Sequence, residues 1–475
     1  MTTEDHAADG GYPSHMGPAE AVLWDIESDP VLRSTITALA ILDRAPNWDR
    51  MVHRLDIATR TIPRLRQRVV EPPLRLGSPR WVTDPEFDLE YHLRRAEVPA
   101  PGTLRDVLDL VQPLAIAPFD RSRPLWEFTL IEGLEDGRAA FVQKVHHTVT
   151  DGVGGIELAL SILDERRVVR NPELPPLPEA GSVDSLSATT DALAGTARSL
   201  LRTGVNLPIA GARAAADTAM HPIRNVGRAI GLTRSVGKMV APVPRSASPI
   251  MTERSLRRRF DTIDVTLSQL KKAAKVADGT ANDALLAAVV EGIRRYHVRH
   301  EAELDELRIT MPINLRHAGG EHGNHFAPAR FAVPANIDDP VDRMRVVGSI
   351  ARRWRAEPAL DSSDAIALVL DRLPTPVTTA VFGAMLKHVD VVVTNVPGIP
   401  SRSYLAGAEL LREYAFAPPT GAALNVALVS HVHTACIGIV SDGAAIPDHD
   451  VLVECLVEGF DEVLGLVGAH ARRSS

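Results

Sequence analysis

The chain has 475 residues, 45% hydrophobic and 24% charged, which is enough for two or three cored domains and too apolar for a disordered chain. A net charge of -8 argues against nucleic acid as the main partner. Two cysteines, Cys436 and Cys455, rule out a disulfide framework and suit a reducing, cytoplasmic compartment. Met1 to Glu20 lack the basic and apolar regions of a signal peptide, and no run of about 18 apolar residues offers a membrane span.

Residues 1–16 read as a flexible tail, and Gly17 to Trp24 open the ordered part. Ser34 to Leu42 alternates as a strand, and Trp48 to Ile62 has the partial apolar spacing of a helix. In Pro63 to Val70, Arg66 and Arg68 share one face if the stretch is extended. They are either solvated charges or partners for a buried carboxylate, with Asp151 the candidate. Asp88 to Leu93 and a helix over Leu104 to Val111 lead to Pro124-Leu125-Trp126. Judged alone, Pro124 and Trp126 are core packing at the entry to a strand, Glu127 to Ile131. That strand pairs with Ala139 to His147 through the turn Gly133 to Gly137.

Ala139 to Val145 is an apolar run that reads as a buried strand. It ends in His146-His147-Thr148-Val149-Thr150-Asp151-Gly152, and a helix follows. Adjacent strand residues point to opposite faces, so one histidine can face a cavity while its neighbour packs. Histidine titrates near neutrality and can take a proton from a hydroxyl. Three readings compete: polar caps on a core strand, a metal site, or a base held in a turn that Asp151 fixes. Metal is disfavoured, because His-x-x-x-His spacing is absent and no cysteine or third ligand is near.

After Arg167 the composition changes. Asn171 to Pro178 is a proline-rich connector. Val183 to Leu232, rich in Ala, Leu and Arg, reads as amphipathic helices. It is either an arm packed between two domains or a basic surface for anionic lipid. Ala241 to Pro249 is a second connector, and Arg259 to Leu267 alternates as a strand. Thr280 N-caps a long helix with Asp283 at N3, which leaves Asn282 exposed in the first turn on the simplest reading. Further strands are expected over Leu307 to Arg316 and Asp390 to Thr394, the latter stopping at the turn Asn395-Val396-Pro397-Gly398. A helix over Asp339 to Arg355, a hairpin of Leu424 to His431 with Thr434 to Val440, and a helix over Asp448 to Val467 complete the chain. The expected division is 17–170, a connector and arm over 171–254, and a second half over 255–475.

The spacing His-His-x-x-x-Asp-Gly at a strand-to-helix turn is similar to the signature of the CoA-dependent acyltransferase superfamily, which includes chloramphenicol acetyltransferase and peptide-synthetase condensation domains. With Pro124-Leu125-Trp126, Asn282-Asp283 and Asn395-Val396-Pro397-Gly398 in the same order, about residues 17–470 resemble the bacterial wax ester synthase/diacylglycerol acyltransferase family. Two stretches depart from it. Asp29-Pro30-Val31-Leu32 stands where the family usually carries Pro-Met-His, and Ser430-His431 where it often shows Ser-Tyr. Both bear on acceptor preference more than on reaction type.

The resemblance implies an α/β fold of two chloramphenicol-acetyltransferase-like domains, mixed sheets flanked by helices, with an active-site tunnel between them. It implies acyl-CoA as co-substrate, a fatty alcohol or diacylglycerol as acceptor, and neither a further cofactor nor a metal. His147 is then the general base, in one catalytic motif with His146 and Asp151. Gly152, Asn282, Pro124, Trp126 and Asn395 fall at the substrate-binding site. No serine or cysteine is paired with the histidine by any motif, so transfer is expected to be direct. Lipid acceptors imply peripheral contact with a membrane or lipid droplet. A condensation-domain-like transferase is the alternative enzyme, but its usual carrier and adenylation neighbours do not fit this length. A non-catalytic lipid-surface protein of the same fold is the other alternative, and intact His147 and Asp151 argue against it.

Overall fold

The computed structural model describes residues 12–72, 78–150, 152–178, 242–314, 326–355 and 375–474. Its strands are β1 (Thr35–Leu42), β2 (Gln67–Val70), β3 (Arg80–Thr83), β4 (Leu93–Glu97), β5 (Trp126–Glu132), β6 (Ala139–His146) and β7 (Arg258–Thr266). They continue with β8 (Glu306–Asn314), β9 (Phe326–Pro334), β10 (Val391–Val396), β11 (Tyr404–Leu405), β12 (Ala408–Phe416), β13 (Leu424–His431), β14 (Thr434–Asp442) and β15 (Arg472–Arg473).

Two mixed sheets carry the architecture. The first runs β11-β12-β1-β6-β5-β4 and the second β15-β7-β14-β13-β10-β8-β9, with β2 and β3 as a separate pair. In β6 every residue is buried, as an inner strand between β1 and β5 requires. Its one cation, Lys144, is paired with Glu127 of β5 at 3.3 Å. Apolar residues on one face of the first sheet pack on the helix Trp48–Thr61, with Met51, Leu55, Trp126, Phe128 and Phe141 in one cluster. The opposite face meets the helix Leu104–Ile116. That helix runs beyond the expected Val111 to Ile116, with Pro113 inside it, where its missing N–H removes one bond from the ladder. The second sheet is covered by the helices Ala281–Arg299 and His449–Gly465.

The sheets are interlocked. β12 leaves the second half of the chain and pairs antiparallel with β1, from Thr37 opposite Phe416 to Leu42 opposite Leu410. At Gly438 of β14 an added Cβ would lie 2.2 Å from the carbonyl oxygen of Ala415 in β12, so the two sheets touch there backbone to side.

Several sequence expectations need correction. Residues 12–16, expected in the loose tail, lie against β3: Ser14 O accepts from Trp81 N at 2.8 Å, and Met16 is buried. Pro63–Arg66 forms a 3-10 turn instead of a strand, so Arg66 and Arg68 do not share a strand face. Pro63 at its start fixes the backbone for that turn. β10 continues through Asn395 to Val396 instead of stopping at Asn395, because parallel pairing with β13 extends that far. The helix Leu267–Val276, the helix Thr375–Leu386 and β11–β12 were not anticipated. The expected arm over 183–234 lies outside the described residues. No helix among the described residues is long and apolar enough to cross a membrane.

Candidate active site

β6 delivers the two histidines. Thr35 of β1 pairs with His146, and His147 N donates to Ser34 O at 2.9 Å, so the turn begins where the ladder ends. Val149 N returns to His146 O at 2.9 Å and closes the turn. The ring of His146 is 1% exposed and held on both sides. Its Nδ1 meets Thr148 Oγ1 at 2.7 Å, and its Nε2 lies 2.9 Å from Glu27 Oε1. Trp24 and Phe119 stand edge-on to it, with centroids 5.9 and 6.1 Å away. The same Glu27 Oε1 accepts Ser34 N at 2.8 Å. One carboxylate oxygen therefore faces both strands that build the turn. His146 is committed to structure, while His147, the next residue, is half-buried.

Burial alone would raise the pKa of Glu27. Pairing with His146, with help from Ser34 N–H and Arg121, brings it below its ordinary value. Glu27, Trp24, Arg33, Phe119, Arg121 and His146 border a cavity of about 200 Å³. Sequence reasoning missed Glu27. The signal available was weak: Glu27 follows the largely apolar helix end Val22 to Ile26, which itself contains Asp25, directly before the departure at Asp29 to Leu32.

The other expected site residues are distributed more widely. Trp126 is fully enclosed: its Nε1 donates to Leu65 O at 2.8 Å, its ring stacks on His92 at 4.4 Å, and Pro124 beside it is buried. Trp126 holds the start of β5 and lines no surface. Asn282 is buried, not exposed, and its Nδ2 donates to Met311 Sδ of β8 at 3.7 Å. Its helix is capped as expected, with Thr280 and Asp283 bonded reciprocally. Asp283 is buried and paired with Arg352 at 3.0 Å. Asn395 is exposed near the end of β10, beside Leu428 of β13. Gly152 opens the helix Gly152–Ile162. Asp151 lies outside the described residues, and so does its expected pairing with Arg66 or Arg68. Arg66 bonds Asp56 and Thr59 and stacks on Phe87, while Arg68 lies on β2 opposite Val82. In the late hairpin, His431 is buried with Nε2 on Leu410 O at 2.9 Å, and burial lowers its pKa. Among the described residues no group of three or more His, Cys, Asp or Glu is placed to hold a metal ion.

Residues 16–285 match the wax ester synthase/diacylglycerol acyltransferase catalytic domain, and residues 322–463 match the C-terminal domain of the same family. A Mycobacterium tuberculosis H37Rv protein with the provisional name diacylglycerol O-acyltransferase is 39% identical over 471 residues, 96% of this chain and 93% of its own. Another protein of that strain with the same provisional name is 28% identical over 450 residues, 92% of each chain. The wax ester synthase/diacylglycerol acyltransferase of Marinobacter aquaeolei VT8 superposes with a TM-score of 0.62 at 22% identity, over 96% of this chain and 100% of that one. The first condensation domain of the calcium-dependent antibiotic synthetase superposes with a TM-score of 0.60 at 16% identity, over 97% and 98%. The two superpositions establish a common fold, and the sequence matches go further: this chain belongs to the wax ester synthase/diacylglycerol acyltransferase family.

Proposed function

We propose that the protein moves a fatty acyl group from acyl-CoA to the hydroxyl of a lipid alcohol, diacylglycerol or a long-chain alcohol, in a tunnel between the two sheets. His147 removes the acceptor proton as its oxygen attacks the thioester carbonyl. The tetrahedral intermediate collapses, and the CoA thiolate leaves with that proton. Transfer is direct, without an acyl-enzyme, because no sequence motif pairs a serine or cysteine with the base. Asn282 and backbone N–H groups near Gly152 are the donors assigned to the oxyanion, where one such donor is typically worth about 2.7–4 kcal/mol. Asp151 holds the turn. The observation that carries this reading is the division of labour in the histidine pair. His146 is locked by Glu27 and Thr148, which fixes the backbone that presents half-buried His147.

The test is thiol release from acyl-CoA with diacylglycerol or a fatty alcohol, with product esters resolved by chromatography. His147→Ala is expected to lower turnover about 10²–10⁴-fold while circular dichroism stays unchanged. Near-wild-type thiol release by the folded variant overturns the assignment.

A further inference from the structure

A larger cleft, of about 580 Å³, opens where the two halves of the chain meet. One wall is Ser28 and Asp29, just past the helix Pro18–Ile26. The other is one face of the helix Thr375–Leu386, continued by Lys387 and His388. Small-molecule sites run to about 300–1,000 Å³, so a ligand has room here. Residues four apart share a helix face, and on this one Thr375, Thr379 and Gly383 run beside Ala380 and Ala384. The opposite side of the helix is committed to packing, with Phe382, Met385 and Leu386 against Val22, Ile26 and Leu32.

The chemistry of the lining decides what fits. Lys387 Nζ donates to Asp29 and joins the two walls, so the pair carries no net charge. Burial, with Arg254, Arg308 and Lys387 nearby, holds the His388 imidazole below its ordinary value and uncharged at neutral pH. Arg254 and Arg308 are themselves spent on main-chain carbonyls, of Gly421 and Val389 and of Arg245. A charged ligand would have to break the ion pair of the lining, and a hydrocarbon would strip water from its hydroxyls. Ser28 Oγ and Thr379 Oγ1 lie 2.9 Å apart, and Thr379 Oγ1 donates to Asp25 O at 3.3 Å. Those two bonds spend both hydroxyl protons and leave oxygen lone pairs on each residue, while the Lys387 ammonium has three donors to offer. Between these groups Ala380, Gly383 and Ala384 fill little space.

We propose that this cleft binds an uncharged polyhydroxyl group. Its hydroxyls donate to Ser28 and Thr379 and accept from Lys387, and its carbon skeleton lies on Ala380 and Ala384. Ser28 also borders the cavity of His146, so the bound group is the head of the acceptor, and an acceptor with neighbouring hydroxyls is preferred to a simple alcohol. That assignment rests on the acyl-transfer reading above; binding does not.

The test uses the full chain and two acceptors of equal chain length, octanol and the octyl ether of glycerol. Thiol release from acyl-CoA should show the lower KM with the glycerol ether. Thr379→Val removes one neutral hydrogen bond and should raise that KM about 2–12-fold. Ala384→Leu fills the cleft from an exposed position and should raise it at least as much. Both variants should keep wild-type kcat, and wild-type KM with octanol, as the loss of a contact to the head alone requires. Saturation-transfer NMR reads binding directly, with the glycerol ether and methyl glucoside as probes. Signal from both that is lost in Ala384→Leu makes free sugars ligands of the cleft, and signal from the ether alone ties it to a lipid head. Equal KM for the two acceptors, or unchanged KM and NMR signal in both variants, overturns the proposal. So does an equal rise of KM with octanol, which makes the cleft a general entrance. If the NMR signal behaves as expected but no ester forms on any acceptor, the acyl-transfer reading fails and the binding site stands.

Discussion

Glu27 Oε1 lies 2.9 Å from His146 Nε2, and the two residues are brought together from a helix end and a strand end. Glu27→Gln keeps the shape and removes the charge. It is expected to loosen the histidine turn and lower kcat about 10–100-fold, with KM for acyl-CoA changed less than about threefold, since a misplacement near 1 Å can cost 10²-fold. A purely structural Glu27 would lower Tm and leave kcat alone. The pKa of Glu27 is depressed in the folded state, so its stabilisation is present above its ordinary value of 4.5 and is lost as pH falls through the lowered one. The Tm gap between wild type and Glu27→Gln should therefore close in strong acid.

Trp126→Phe removes the indole donor and leaves Leu65 O buried without it. The expected loss is about 1–3 kcal/mol in urea unfolding, with turnover of the folded enzyme preserved. Lost turnover with unchanged unfolding would instead place the indole against substrate.

Glu413 sits on β12 opposite Ala40, 3% exposed, and its Oε2 has no hydrogen-bond partner among the described residues. Burial pushes its carboxyl up to about 7. A raised carboxyl contributes most below its unfolded value, near 4.5, and that contribution is lost as pH climbs to about 7. Glu413→Gln is expected to gain about 1–3 kcal/mol at pH 8 and nothing near pH 4. Calorimetry at the two pH values decides it. Equal effects at both would mean the carboxyl does not titrate in the core.

Gly438→Ala forces a methyl into the Ala415 carbonyl across the sheet contact. Overpacking of this kind costs about 1–3 kcal/mol. Gly465→Ala, at the end of the last long helix with nothing within 4 Å, is the control and should be neutral or slightly stabilising. A Gly438→Ala protein as stable as wild type would mean β12 and β14 can part without cost.

Local chemistry was legible and distant partnership was not. β5, β6 and the β13–β14 hairpin could be read from apolar runs bounded by turn residues, and the Thr280 cap from its own tetrapeptide. The place of β12 could not, because Glu409, Arg412 and Glu413 obscure its alternation and its partner β1 is remote in sequence. Thr375–Leu386 carries no charge and little polar contrast, so it has no periodic stripe to detect. In the site, the motif placed both histidines at a strand end. Which of them is locked depends on Glu27, far upstream, and on Thr148 turning back. The simplest reading left Asn282 exposed, because the thioether of Met311 that covers it comes from β8, which the helix cap does not reveal.

The pairing of β12 with β1 also governs how this protein is born. During synthesis β1 can find β6 early, but the strand that covers its other edge emerges only when Ala408 to Phe416 leave the ribosome. At about 5–20 residues per second the delay is on the order of 20–70 s, and for that time an apolar edge has open backbone groups on which another chain could add. Nascent chains of this protein should therefore depend on chaperone cover, and a stalled or truncated product ending before Ala408 should aggregate through β1.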